Sequence, residues 1–364
     1  MREKPKTFGS WYLSGLALTA AFLFLAGCSV APEVALSGPP LVAAPGFQKG
    51  IAFTGYGADS YVGQNARLSL QHLRQTGADW TSLLVTAYQG TINDTRIDFQ
   101  GSGTPTDASL LDIMDYAHEL GLEVMLKPHV DLLDDPSHYR GEIGPNFREA
   151  DWAEWFASYR EFILHYAGLA AAAEADLFCV GCELGTTVSH EAEWRVLVAE
   201  IRVVYSGPLV YADNLVETQP NAVGWWDAVD YIGEDAYPTL SQVQDPAQDE
   251  LDRAWQTYMG KLELLVSRWD KPLIITEVGF RSVEGGARNP WDWQRAGAVD
   301  LEIQEQCYQA VFRGINDQTW LAGIYWWQWS PDPSEGGPAD TGYTPHGKPA
   351  EDVLRAWFAS AWGK

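Results

Sequence analysis

Basic residues are scarce in this chain. Its 364 residues hold 24 lysines and arginines against 49 aspartates and glutamates, a formal net charge of −25, and a surface of that sign repels phosphate backbones and anionic lipid. Nucleic acid is therefore excluded as a partner, whereas a neutral polysaccharide or oligosaccharide meets no such barrier. Metal-ligating patterns are missing as well. The one C-x-x-C, Cys179 and Cys182, has no second C-x-x-C or H-x-x-x-H to complete a zinc site. Both cysteines lie in an apparent strand, where residues three apart face opposite sides, so they are expected to be small buried residues and neither a metal pair nor a disulfide. Cys307, in an apparent helix, reads as core. The acids of 330–347 lack the spacing of a calcium loop, and no metal or cofactor is expected. No internal repeat and no second domain can be made out.

The start of the chain is different in kind. Arg2, Lys4 and Lys6 precede an uncharged stretch, 7–27, that runs into Leu25-Ala26-Gly27-Cys28. A basic head, an apolar middle and small residues before a cut make a secretory signal, too short and wrongly flanked for a spanning helix. Leu-Ala-Gly-Cys also matches the bacterial lipobox, so the expected organisation is a signal peptide over 1–27, a lipid-attached tether over 28–48 with Cys28 acylated, and a catalytic domain over 49–364. Pro32, Pro39, Pro40 and Pro45 among small residues suit a tether. Several acyl chains on one residue would hold the protein stably at a bilayer. Ser29 after the cysteine resembles the outer-membrane sorting class, which predicts a lipid-anchored protein of the bacterial envelope, at the outer membrane where the cell has two. Cleavage would remove three positive charges and one negative, leaving −27.

What the chain has in quantity is apolar and aromatic side chains, 46% and 13%, enough for a large core. Strand-like runs fall at 50–53, 81–87, 122–130, 176–183, 208–214, 230–237, 271–279 and 321–329. Helical patterns lie between or after them, for example at 109–120, 152–172, 191–205, 251–269, 301–315 and 350–362. Eight strands interleaved with helices predict a parallel sheet closed into a (β/α)8 barrel, the TIM barrel, as one domain. Gly77 and Gly121 read as helix C-terminal caps.

Glu183 closes the fourth run and Glu277 the seventh. An acid at the carboxyl end of a barrel strand points into the mouth where barrel enzymes do chemistry, and two such acids suggest hydrolysis of a glycosidic bond, one carboxyl protonating the departing oxygen and one carboxylate supporting or attacking the sugar carbon. Structural ion pairing is the alternative for either glutamate. Lys127, His129 and Asp131 end the third run and could hydrogen-bond sugar hydroxyls. Asp213 and Asn214 end the fifth. Tyr237 ends the sixth, where its hydroxyl could donate to Glu277 and favour the charged form. Trp327 and Trp329 end the eighth with Trp326, and since alternate strand residues share a face, one or both are expected to floor the sugar site. Trp152, Trp155 and Trp269 read as packing residues, and Trp80 is a weaker sugar contact. The loop 330–347 is expected to border the cleft.

Several segments together carry a resemblance. Gly181-Cys182-Glu183-Leu184, the run from Asp230 through Glu234-Asp235-Ala236 to Tyr237, Thr276-Glu277-Val278-Gly279-Phe280-Arg281-Ser282 and Tyr325-Trp326-Trp327-Gln328-Trp329-Ser330-Pro331 resemble glycoside hydrolase family 113. So do Leu126-Lys127-Pro128-His129-Val130-Asp131 and the tail from Gly336-Gly337 through Tyr343-Thr344-Pro345 to Gly347-Lys348-Pro349. The resemblance implies a retaining, cofactor-free β-mannanase-like enzyme on β-1,4-mannan or manno-oligosaccharides, with the acid/base at Glu183, the nucleophile at Glu277, and sugar contacts from the strand-end residues, Asp235 among them. One position departs from it: the clan usually places asparagine before the acid/base to hold the sugar 2-hydroxyl, and here Cys182 stands there. A thiol is a weak hydrogen-bonding group, which bears on sugar preference more than on reaction type. The rivals are the same mechanism on a glucan or xylan, and a non-catalytic lipoprotein that captures glycans. A monomer is expected.

Overall fold

Parallel strands cannot be joined by tight turns, so a chain of them needs crossovers, and helices supply those here. The computed structural model describes residues 46–214, 223–316 and 318–360; the expected signal peptide and Cys28 lie outside them, as does the tether up to residue 45. Eight barrel strands run β1 (Gln48–Phe53), β2 (Trp80–Gln89), β3 (Glu123–Leu132), β4 (Leu177–Cys182), β5 (Leu209–Asp213), β6 (Tyr231–Ala236), β7 (Leu273–Val278) and β8 (Leu321–Trp329). Each pairs in parallel with the next, and β8 returns to β1, closing the cylinder. The expected (β/α)8 barrel is the observed fold, and each expected strand run overlaps one barrel strand.

The crossover helices are α1 (Gln64–Gln75), α2 (Asp107–Glu119), α3 (Glu149–Ala172), α4 (Glu191–Val204), α5 (Gln248–Trp269) and α6 (Leu301–Ile315), and α7 (Pro349–Ala359) follows β8. Their starts are chemically marked: the Thr106 side chain accepts from the Ser109 N–H, the Asp300 side chain accepts from the Ile303 N–H, and Pro349 sits in the first turn of α7. Between β5 and β6 the described residues hold a 3-10 turn, Trp226–Ala228. A two-residue strand, Ile97–Asp98, pairs antiparallel with the end of β2. The barrel starts earlier than the sequence suggested. Gln48 is buried and accepts from the Tyr325 hydroxyl at 2.7 Å, so it belongs to the domain and not to the tether.

Two apolar layers result. The outer one lies between strands and helices and takes most of the large rings, including Trp155, Trp194, Trp225, Trp255 and Trp326. The inner one fills the lower barrel with Trp80, Met125, Leu177, Cys179, Val210, Ile274 and Tyr325. Tyr325 lies so close to β1 that a Cβ on Gly50 would stand 2.2 Å from its ring, and only glycine leaves that room.

Strand register shifts where the mouth begins. Pairing slips between Cys179 and Cys182, between Glu234 and Asp235, and between Ile275 and Val278; such bulges re-aim side chains next to functional sites. The first slip overturns the expectation that Cys179 and Cys182 face opposite sides. Both turn into the barrel, as free thiols, with the Cys179 Sγ donating to the Gly181 carbonyl at 3.1 Å and the Cys182 Sγ to Asp235 Oδ2 at 3.2 Å.

Candidate active site

Above the apolar floor the barrel interior turns charged. Glu183 is the first residue past β4 and takes φ 52, a left-handed conformation uncommon for a side chain of its size. Its Oε1 accepts from Asn214 Nδ2 at 3.0 Å, and its Oε2 from Arg140 Nη1. Glu277, in β7, is gripped in a similar way: Oε1 accepts from the Lys127 ammonium and Oε2 from the Tyr237 hydroxyl at 2.8 Å. Lys127 also donates to both oxygens of Asp235, at 2.9 and 3.1 Å, and Thr276 Oγ1 donates to Asp235 Oδ1 at 2.6 Å.

Burying charge is costly unless it is paired and hydrogen-bonded, and here two cations, Lys127 and Arg140, face three carboxylates, Asp235, Glu183 and Glu277. One proton on the glutamate pair would make that set neutral. The electrostatics agree. Burial pushes both glutamates up: Glu183 is raised despite the opposing Arg140, and Glu277 is pushed up to about 8, with Asp235 and Glu183 adding and Lys127 opposing. The charge of Glu183 helps to raise Glu277, and Asp235 helps to raise both, so one field acts on the two carboxyls. Burial works against the charge on Lys127, yet Asp235 foremost holds its pKa well above the usual range. His129 is the reverse case: burial, then Lys127 and Arg140, hold it well below, so its imidazole is neutral. Its Nε2 stands 3.6 Å from Glu277 Oε1 and has no hydrogen-bond partner among the described residues.

The sequence-expected residues separate into groups. Glu183, Glu277, His129, Tyr237 and Asn214 converge on one cluster. Asp131 stands at its rim, its side chain 44% exposed and 3.5 Å from Arg140. Lys127 and Asp235, expected as sugar contacts, are sealed beneath Glu277 at 1% and 0% exposure; they face the layer below the mouth and are occupied with each other. Trp327 is half-buried and stacks on His129, centroids 6.4 Å apart and planes 7° apart. Trp329 does not join it. The alternation of β8 does not extend past Trp327: Trp329 packs outward, its Nε1 donating to Ser69 of α1 at 3.0 Å. Trp326 is likewise turned out, stacked on Tyr308 of α6, and Trp80 lies in the barrel floor against Tyr325.

Two residues at the mouth carried no sequence signal. Arg140 opens a 3-10 turn, Arg140–Glu142, after β3, with its Nε donating to the Val130 carbonyl at 2.8 Å. Tyr56, on the loop after β1, is 54% exposed, yet desolvation and then the charge of Glu277 raise its pKa, with Arg140 opposing. His129, Cys182 and Glu277 place ligand atoms within 4.8 Å of one another, as do Cys182, Glu183 and Asp235, but Lys127 already neutralises Glu277 and Asp235, and a metal ion there would compete with that resident cation.

The sequence profile of Glycoside Hydrolase Family 113 matches residues 52–348. The chain belongs to glycoside hydrolase family 113. Solved structures agree. A family 113 β-1,4-mannanase is 31% identical, with a TM-score of 0.77 over 86% of this chain and 98% of that one. The family 113 β-mannanase AaManA from Alicyclobacillus acidocaldarius is 33% identical, with the same TM-score, over 86% and 97%. A β-D-glucuronidase of Dictyoglomus thermophilum, 14% identical with a TM-score of 0.58 over 87% of this chain and 51% of that one, shares the fold alone. No curated protein matches the chain. As a member of family 113, the protein is a glycoside hydrolase, and its substrate is a polysaccharide or oligosaccharide.

Proposed function

We propose that this glycoside hydrolase is a retaining β-mannanase with Glu277 as nucleophile and Glu183 as acid/base. The observation that carries the reading is the grip on Glu277: an ammonium on one oxygen and a phenol hydroxyl on the other stabilise the attacking carboxylate form against the burial that raises its pKa. In the first step Glu277 bonds to the anomeric carbon as the glycosidic C–O bond breaks, and Glu183 gives its proton to the leaving oxygen. In the second, Glu183 takes a proton from water, whose oxygen replaces Glu277 on the sugar carbon.

For Glu183 to carry that proton, its contact with Arg140 has to loosen. Arg140 is therefore read as a group that opposes protonation of Glu183 without overriding its burial and that moves toward Asp131 when the leaving sugar enters. The Cys182 thiol is turned onto Asp235, so a 2-hydroxyl would find its partner in the neutral His129 Nε2, and Trp327 would offer an indole face to the pyranose. The mannan preference rests on the two β-mannanase relatives.

The test is product analysis on mannohexaose, with mannan, glucan and xylan compared. Retained anomeric configuration, a preference for mannan, and no turnover by Glu277→Ala are expected; inversion of configuration, hydrolysis by that variant or a preference for glucan or xylan would overturn the corresponding part. Acylation of Cys28 and an envelope location belong to the same proposal, supported by the Leu25-Ala26-Gly27-Cys28 sequence. Labelling with radioactive palmitate should be lost in Cys28→Ala, and equal labelling of that variant would refute the anchor.

A further inference from the structure

Cys182 is a buried thiol for which the two displacement steps have no use. It is 1% exposed, it immediately precedes Glu183, and the register slip in β4 turns it into the barrel. Three strands meet at its sulfur. The Sγ donates to Asp235 Oδ2 of β6 at 3.2 Å and stands 3.9 Å from His129 Nδ1 of β3. Asp235 is the carboxylate that receives Lys127 on both oxygens, and Lys127 is the cation on Glu277. Three hydrogen bonds thus lead from the neighbour of Glu183 to Glu277.

A thiol has one proton to give. Burial foremost holds the Cys182 pKa well above its usual range, with Lys127 opposing and Asp235, Glu277 and Glu183 adding. The proton therefore stays on sulfur and is directed at Asp235. Toward His129 the sulfur presents a lone pair, which the imidazole meets best with its own proton on Nδ1. The partner of one ring nitrogen sets the state of the other, so Nε2 is left bare, as the acceptor that a sugar hydroxyl requires. Arg140, on the turn after β3, shares this field. Tyr159 of α3 and Tyr211 of β5 share it from the outer layer, and burial keeps both phenols protonated.

We propose that Cys182 is a positioning residue that acts on both sides of the site: it tempers the hold of Asp235 on Lys127, and so the charge that Lys127 offers Glu277, and it keeps the His129 proton on Nδ1. The proposal rests on the reading of Glu277 as nucleophile and deepens it. A thiol is a weak donor and draws off little of the Asp235 charge. A stronger donor would draw off more, freeing Lys127 for Glu277 and favouring the Glu277 carboxylate. With no donor, Asp235 would hold Lys127 harder and disfavour that carboxylate.

The experiment compares wild type with Cys182→Ser and Cys182→Ala in two readouts: kcat/KM against pH on an aryl β-mannoside, and nitrogen NMR of histidine-labelled protein, with the His129 signals identified by their loss in His129→Gln. The acid limb of the profile reads the essential base of the free enzyme. It should move down by about half a pH unit in Cys182→Ser and up by about half a pH unit in Cys182→Ala. His129 should be the Nδ1–H form in wild type and in the serine variant, and a mixture of forms in the alanine variant. Loosened packing would not move the limb in opposite directions. A limb that stays in place in both variants, or moves the same way in both, would overturn the tuning of Glu277, and a wild-type His129 protonated on Nε2 would overturn the hold on the imidazole. A protein that cleaves no glycan, yet loses its Nδ1–H preference in Cys182→Ala, would leave the hold on His129 standing while the catalytic reading fell.

Discussion

The two halves of the barrel interior are built on opposite principles. The lower half is packed with Trp80, Met125, Leu177, Ile274 and Tyr325, whose burial favours folding at roughly 25 cal/mol per Å² of apolar surface. The upper half holds Lys127, Asp235, Glu277 and Glu183, whose removal from water opposes folding and is offset by pairing. Strand β7 shows the change within four residues: Ile274 belongs to the floor and Glu277 to the mouth. Stability and chemistry therefore occupy different depths of one cylinder, and substitutions at the two depths should part company.

The sharpest separation should come from Glu277→Ala, with kcat lowered about 10⁴-fold or more and the fold intact by circular dichroism. The related Glu277→Gln has a stability signature. Because burial lifts the folded-state pKa from 4.5 to about 8, the unfolded chain gives up this proton at lower pH than the folded one. Wild type should accordingly lose stability as pH rises through that interval, and the glutamine variant should lose less, read as thermal midpoints at pH 5 and pH 8. A parallel decline in both proteins would contradict the assignment.

Next in size is Lys127→Met. It strands Asp235 and Glu277 in the interior, so urea unfolding should show a loss of about 3–5 kcal/mol; wild-type stability in this variant would show that the mouth does not depend on that cation. At the floor, Gly50→Ala drives a methyl into the Tyr325 ring and should cost about 1–3 kcal/mol while activity per folded molecule stays unchanged. Loss of activity beyond the loss of folded protein would blur the division between the halves.

Smaller effects belong to the hydrogen bonds on the glutamates. Tyr237→Phe withdraws a donor from Glu277 Oε2 and should lower kcat/KM about tenfold with little change in KM for a substrate that binds elsewhere in the cleft. Arg140→Gln removes a charge that opposes protonation of Glu183. Its mark should be a basic limb of the kcat/KM profile moved to higher pH, and an unmoved limb would detach Arg140 from the acid/base.

The sequence made the regular parts of this architecture visible. Strand and helix periods follow from side-chain pattern, so the barrel could be read, and Glu183 and Glu277 stood out because each closes a strand. Local irregularity was hidden. Cys179 and Cys182 share a face because β4 slips register between them, and Trp329, against simple alternation from Trp327, is held outside the mouth by Ser69 of α1. Lys127 and Asp235 were placed at the right strand ends, but depth along the barrel axis, which sets whether a polar group meets sugar or supports one that does, has no counterpart in a strand pattern. Arg140 lies on a 3-10 turn, where no periodicity says which way a side chain points.

Tyr325 has a consequence for traffic. Its ring fills the axis beside Gly50 and its hydroxyl is tied to Gln48, so the cylinder is stoppered from below and has one doorway. The released sugar and the incoming water must then use the same opening in turn. Under the proposed double displacement, departure of the first product then precedes the second half of the reaction, because both use that opening.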